Sequence, residues 1–207
     1  MKICFLDNSP IPYTSSDLNS KNIRGAENAI IHLSKELSKL KIDVEVFNNC
    51  SENCIISNVK WSNINTVNKD VNYDYAFTNN DIRLFDKIMA NKYVAFSHSI
   101  QSIEKFIRKG QLISYLKYKP KIVLLGKYHS KNRNYLLKIF GTINLQWAVD
   151  PLFLETNLDE SIIENRAIFT SRIDRNLDLL INLWKKNIFP KNKSIKLYTT
   201  PSDLIDS

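Results

Sequence analysis

With 207 residues, 43% of them hydrophobic, the chain is long and apolar enough to bury a sizeable core, which excludes a disordered polymer. The formal charge of +8 implies an anionic partner, whether nucleotide phosphate, anionic lipid or nucleic acid, without choosing among them. No run approaches membrane-spanning length and the apolar stretch before Asp7 is too short for a secretion signal, so the expected location is cytoplasmic, with peripheral attachment to the inner membrane face as a variant.

Residues 2–7 read as a buried first strand in which Cys4 is a buried thiol. Cys50 and Cys54 lack further Cys or His residues at metal-site spacing and read as free thiols. A polar loop with Pro10 and Pro12 follows the strand and leads to a helix, which is where open α/β sheets place ligands. Gly25 opens that helix. Ala26, Ile30, Leu33, Leu37 and Leu40 draw one apolar stripe along it, and His32 is expected to pack beside the stripe. A helix mouth carries unpaired N–H groups and a partial positive charge, so Gly25 either admits an anion closely or only relieves a turn; the glycine alone leaves both readings open.

Past Lys41 the period changes, and Ile42, Val44 and Val46 alternate with Asp43 and Glu45 as a half-buried strand does. A short strand is expected at 54–57, strands at 73–78 and 93–97, and a helix between them at 81–89. Residues 102–119 read as one basic helix ended by Pro120, 121–125 as a buried strand, 128–139 as a helix stopped by Gly141, and 142–146 as a strand. An acidic, irregular segment at 150–166 reads as a linker, after which the pattern restarts with a strand at 167–171, a helix at 177–184 and a strand at 195–198. The alternation predicts an α/β fold, a doubly wound parallel sheet followed by the start of a second α/β domain.

Four phrases in order resemble the large retaining family of GT-B glycosyltransferases that includes bacterial mannosyl- and glucosyltransferases. They are Arg24-Gly25-Ala26-Glu27 with the helix and strand behind it, Phe96-Ser97-His98, Ala148-Val149-Asp150-Pro151-Leu152-Phe153, and FTSRIDRNLDLL at 169–180. Arg24 stands where the family has the first of two glycines, and Arg175-Asn176 where it has Lys-Gly. The resemblance implies two Rossmann-like domains, an acceptor-side domain over 1–155 and, from 156, the linker and first β-α-β of a donor-side domain. The family's paired-glutamate donor segment lies further on, so the chain is expected to be a fragment. It also implies the roles: Gly25, Ala26, Arg172 and Arg175 on the donor diphosphate, His98 catalytic at the reacting sugar, and Asn8, Ser9, Lys127, Tyr128 and His129 on the acceptor side. The substrates implied are a nucleotide sugar and a glycan or lipid-linked acceptor, with no cofactor and no metal.

Each role has a plain alternative. The arginines could be a solvated loop, and His98 a strand-end histidine bonded to backbone. The mixture of cations and aromatics from Lys105 to Lys121 suits contact with an anionic membrane or simply a solvated helix face. Those residues match no nucleic-acid-binding motif, so no nucleic acid is expected as partner. The rival to the enzyme is a non-catalytic Rossmann-like module that binds a sugar, a polyanion or a partner protein.

Overall fold

The computed structural model describes residues 1–18, 23–98, 102–132, 135–146, 148, 165–170 and 175–199, in two compact units, 1–148 and 149–207. In the first unit the strands are β1 (Lys2–Leu6), β2 (Asp43–Asn48), β3 (Cys54–Ile56), β4 (Val59–Asn63), β5 (Asn72–Asn79), β6 (Met89–Phe96), β7 (Lys121–Leu124) and β8 (Thr142–Asn144). They form one sheet in the order β3-β4-β2-β1-β5-β6-β7-β8, parallel except where β3 pairs antiparallel with β4. This is a Rossmann-like α/β layer. The helices are α1 (Gly25–Lys39), α2 (Ile103–Arg108), α3 (Leu112–Tyr118) and α4 (Lys127–Asn132), with 3-10 turns at Ser15–Asp17, Ile64–Thr66, Ile82–Lys87 and Tyr135–Lys138.

Strand alternation sends neighbouring side chains to opposite faces, and both faces are covered. Ile3 and Phe5 of β1 join Val44, Val46, Val59 and Trp61 beneath Ile30 and Ile31 of α1. Cys4 and Leu6 join Tyr73, Ala76, Ile122 and Leu124 on the other face, under Phe85, Phe106 and Tyr115. Side chains such as Phe5 and Ile31, both fully buried, each stabilise the fold by roughly 1.5–3 kcal/mol. Cys4 and Cys50 are buried and Cys54 is half-buried on β3; all three are free thiols.

Covering both faces changes the reading of β2. Glu45, expected on a wet face, is 4% exposed. Its carboxylate accepts from Ser62 Oγ at 3.0 Å, Tyr73 Oη at 2.6 Å and Lys60 Nζ at 2.7 Å, which satisfies a charge that burial would otherwise make costly. The stripe of α1 is also rotated from the expected one. Glu27, Ile30, Ile31, Ser34 and Ser38 are buried, Leu33 and Leu37 are half-buried, Leu40 is 71% exposed, and His32 is exposed rather than packed. Two serines face the sheet because small side chains let the helix lie close to it. Within the helix their hydroxyls bond Ile31 (Ser34, 3.0 Å) and Lys35 (Ser38, 2.8 Å) carbonyls, and Ser38 also donates to the Ser57 carbonyl of the β3–β4 hairpin at 3.0 Å.

Other departures have local causes. β4 follows β3 through a two-residue hairpin in which Ser57 and Asn58 both take positive φ, 55° and 59°, the requirement of the tightest hairpin turns. Residues 81–89 form no α-helix, because β6 starts at Met89 and pairs with β5 along its whole length, leaving room for one 3-10 turn capped by Asp81. The expected helix over 102–119 is broken at Gly110, φ +64°, where the Gln111 N–H bonds the Phe106 carbonyl and the Gly110 N–H that of Ile107, both at 2.9 Å. That pair of bonds ends α2 and frees α3 to turn. α4 is likewise shorter than the helix expected over 128–139, with the 3-10 turn carrying Tyr135–Lys138.

In the second unit β9 (Arg166–Phe169) and β10 (Lys196–Thr199) pair in parallel, and α5 (Leu177–Leu183) runs on into a π-helical turn at Trp184–Ile188. The expected linker falls largely outside the described residues.

Candidate functional site

β1 lies between β2 and β5, so the chain leaves β1 through α1 for one side and later returns to the other. In such sheets the crevice beyond the carboxyl ends of the strands, where the direction reverses, is the ligand site. Three strand ends converge there: Asp7 to Ser9 after β1, Asn79 to Asp81 at the end of β5, and Ser97 and His98 after β6.

These residues are linked by hydrogen bonds. Asp7, 2% exposed, accepts from Tyr13 Oη at 2.8 Å and from the Ser9 N–H at 3.2 Å, and the Asn79 side chain is near enough to favour its charged form. Burial pushes the Asp7 carboxyl above its ordinary range, with the nearby Glu27 adding to the rise, against these hydrogen bonds. Asn79 offers Oδ1 to His98 Nε2 at 2.7 Å and to Asn80 Nδ2 at 3.2 Å. The acceptor oxygen assigns the proton of a neutral His98 to Nε2 and makes Nδ1 its accepting nitrogen. Burial lowers the His98 pKa below 6.5; Glu27 opposes the shift and His129 adds to it. At neutral pH the ring is therefore uncharged.

Gly25, Ala26, His98 and Ala148 line one open cavity of about 450 Å³. Gly25 has no structural need to be glycine. Its φ is not positive, and a Cβ built on it meets nothing within 4 Å among the described residues. What the missing Cβ leaves is access to the first turn of α1, where Arg24 supplies no side-chain cap and the helix dipole is positive. One turn in, Glu27 is 3% exposed; its Oε1 accepts from Ser9 Oγ at 2.6 Å, while Oε2 is buried without a partner among the described residues.

The remaining expected residues divide. Ser9 is buried, and its hydroxyl is held by Glu27. Asn8 is exposed and donates to Asp81 at 3.1 Å, beside the two-pronged Arg83 pair on the same carboxylate at 2.9 and 2.7 Å. His129, half-buried with its Nδ1 enclosed and without a partner among the described residues, is near enough to His98 to act on its charge, whereas Lys127 and Tyr128 are exposed. Arg175 is exposed in the second unit, and Arg172 lies outside the described residues. The sequence reading missed Asp7, Tyr13, Glu27 and Asn79 as site residues. Asp7 and Asn79 did carry a signal, a polar residue closing an apolar strand, but only the pairing of β1 with β5 makes them meet.

Among the described residues no group of three or more His, Cys, Asp or Glu side chains could hold a metal ion, and no helix is long and apolar enough to cross a membrane. No family model and no curated protein matches the chain.

Proposed function

We propose that the protein is a retaining glycosyltransferase of the GT-B type that takes its sugar from a nucleotide sugar and passes it to a glycan or lipid-linked acceptor. The observation that carries this reading is that Gly25 and Ala26, at the mouth of α1, and His98, after β6, line one cavity although more than a third of the chain separates them in sequence. Transfer from a nucleotide sugar leaves a diphosphate. The N–H groups of a helix mouth meet that charge as it develops, and losing one such donor typically costs about 10²–10³ in rate. A neutral His98, its Nε2 proton held by Asn79, stands in that cavity, where an imidazole can exchange a hydrogen bond with a sugar hydroxyl. Phosphate contact by Arg172 and Arg175 is part of the proposal and rests on the sequence resemblance.

One observation favours the non-catalytic sugar-binding module instead: the buried Glu27 carboxylate behind the helix mouth opposes an incoming anion. Saturation-transfer NMR with a panel of nucleotide sugars, paired with a product assay on glycan acceptors, separates the two. Binding of a nucleotide sugar that free nucleoside diphosphate competes away, and that Gly25→Val abolishes, supports the enzyme. Binding of free sugar with indifference to every nucleotide supports the module.

A further inference from the structure

We infer that Cys50 and Cys54 form a reversible disulfide through which a small oxidised thiol, such as glutathione disulfide, loosens the loop at 9–13 beside the candidate site. β2 and β3 flank β4 in the sheet, and the segment 49–53 joins them across the end of β4. Asn63, the last residue of β4, ties down both ends of that segment. Its side-chain amide donates to the Cys50 carbonyl at 2.7 Å, and its backbone N–H donates to Asn53 Oδ1 at 3.0 Å, one residue before Cys54. Cys54 itself pairs with Trp61, two positions back along β4, and packs against the core beneath α1. The two thiols are near enough that a charge on Cys54 acts on Cys50. Cys50 is buried, Cys54 is half-buried, and 51–53 between them are exposed.

That difference in exposure sets the order of the chemistry. The Cys54 thiolate attacks one sulfur of glutathione disulfide, forming a mixed disulfide and releasing one glutathione thiolate, which takes up a proton. Cys50 needs to reach only its neighbour. Burial and the Cys54 charge hold its thiol up, and capping Cys54 removes the second of these. The Cys50 thiolate then attacks the Cys54 sulfur and expels the second glutathione. Two electrons pass from the pair of cysteines to the glutathione disulfide, and two reduced glutathiones leave. A disulfide keeps its Cα atoms within roughly 7 Å and fixes its torsion, so closing it sets the path of the chain at Cys50. Asn48 and Asn49 stand directly before that point, with the Cys50 N–H on Asn48 Oδ1 at 2.7 Å. Asn48 donates to the Tyr13 carbonyl and Asn49 to that of Ser9, both at 2.6 Å, so a shift of Cys50 is taken up at these two bonds. The loop they hold carries Tyr13, whose hydroxyl bonds Asp7, and Ser9, whose hydroxyl bonds Glu27. This coupling is the same whether the cavity serves transfer or binding alone.

Incubation of the native whole chain with glutathione disulfide, an alkylating quench and peptide mapping by mass spectrometry test the proposal. The expected product has lost both thiol hydrogens, carries Cys50 and Cys54 in one linked peptide with Cys4 still free, and returns to the starting mass with dithiothreitol. In the oxidised chain, hydrogen exchange at Ile11, Tyr13 and Thr14 should quicken by at least roughly tenfold. Cys50→Ala should stop at glutathione on Cys54 with that exchange unchanged. Cys54→Ser, at a half-buried position where folding tolerates the change, should take up no glutathione and keep the reduced exchange pattern. A wild-type chain that retains glutathione on Cys54, a bridge that includes Cys4, or a Cys50–Cys54 bridge with exchange over 9–13 unaltered each overturns the proposal.

Discussion

Gly25 has two explanations until its surroundings are known, and the surroundings remove one of them. A turn glycine is needed for positive φ or for a neighbour too close to admit a Cβ, and Gly25 has neither. Gly25→Val should therefore leave the denaturation midpoint nearly unchanged, a shift within about 0.5 kcal/mol, while filling the cavity and removing ligand binding. A large loss of stability would restore the structural explanation. His98 gives a second test at this scale. Its folded pKa lies below the ordinary 6.5, so its neutral form contributes stability above that value and loses it as pH falls. An NMR titration should find its midpoint below 6.5, lower still in Glu27→Gln and higher in His129→Gln, because those two groups push in opposite directions.

At the scale of elements, α1 is held close to the sheet by the smallness of Ser34 and Ser38. Ser34→Leu would strengthen the helix's apolar stripe as judged from sequence, yet overpacking at a fully buried position should cost about 1–3 kcal/mol in chemical denaturation. Ser34→Ala should be near neutral, since the lost bond is only to the helix's own carbonyl. The turn after β5 has a pH signature. Burial pushes Asp81 up, but the Arg83 side chain and N–H and the Asn8 amide together hold it below the ordinary carboxylate range. Its contribution is present above roughly pH 4 and fades as pH falls through the lowered value. Arg83→Met should cost up to about 1 kcal/mol at pH 7, a small figure because Arg83 is 54% exposed, and the gap to wild type should close in acid. Hydrophobic period revealed most of the parallel strands. It could not show whether polar positions such as Glu45 face water or a second covered face, because both give the same alternation. The break at Gly110 was masked by an amphipathic pattern that runs unbroken through both helices. Glu27 was visible only as part of a motif, since nothing in a linear pattern says that Ser9 will reach it.

At the scale of the molecule, the sheet of the first unit is buried on both faces at β1, β2 and β5, while in the second unit the described side chains are mostly exposed and Leu177 is buried. Opening energies should differ accordingly. Hydrogen exchange followed by mass spectrometry should find the slowest amides in β1 and β5 and much faster exchange in β9, α5 and β10; uniform protection across both units would contradict this. The burial of the thiols has a practical consequence. Burial, with the Glu45 charge adding to it, raises the Cys4 pKa, and burial raises that of Cys50, so at neutral pH neither supplies much thiolate. A maleimide dye offered to the native chain should therefore attach at Cys54, on the outermost strand of the sheet. The wild-type sequence thus carries its own single position for a fluorophore, from which cavity filling can be followed without engineering a cysteine.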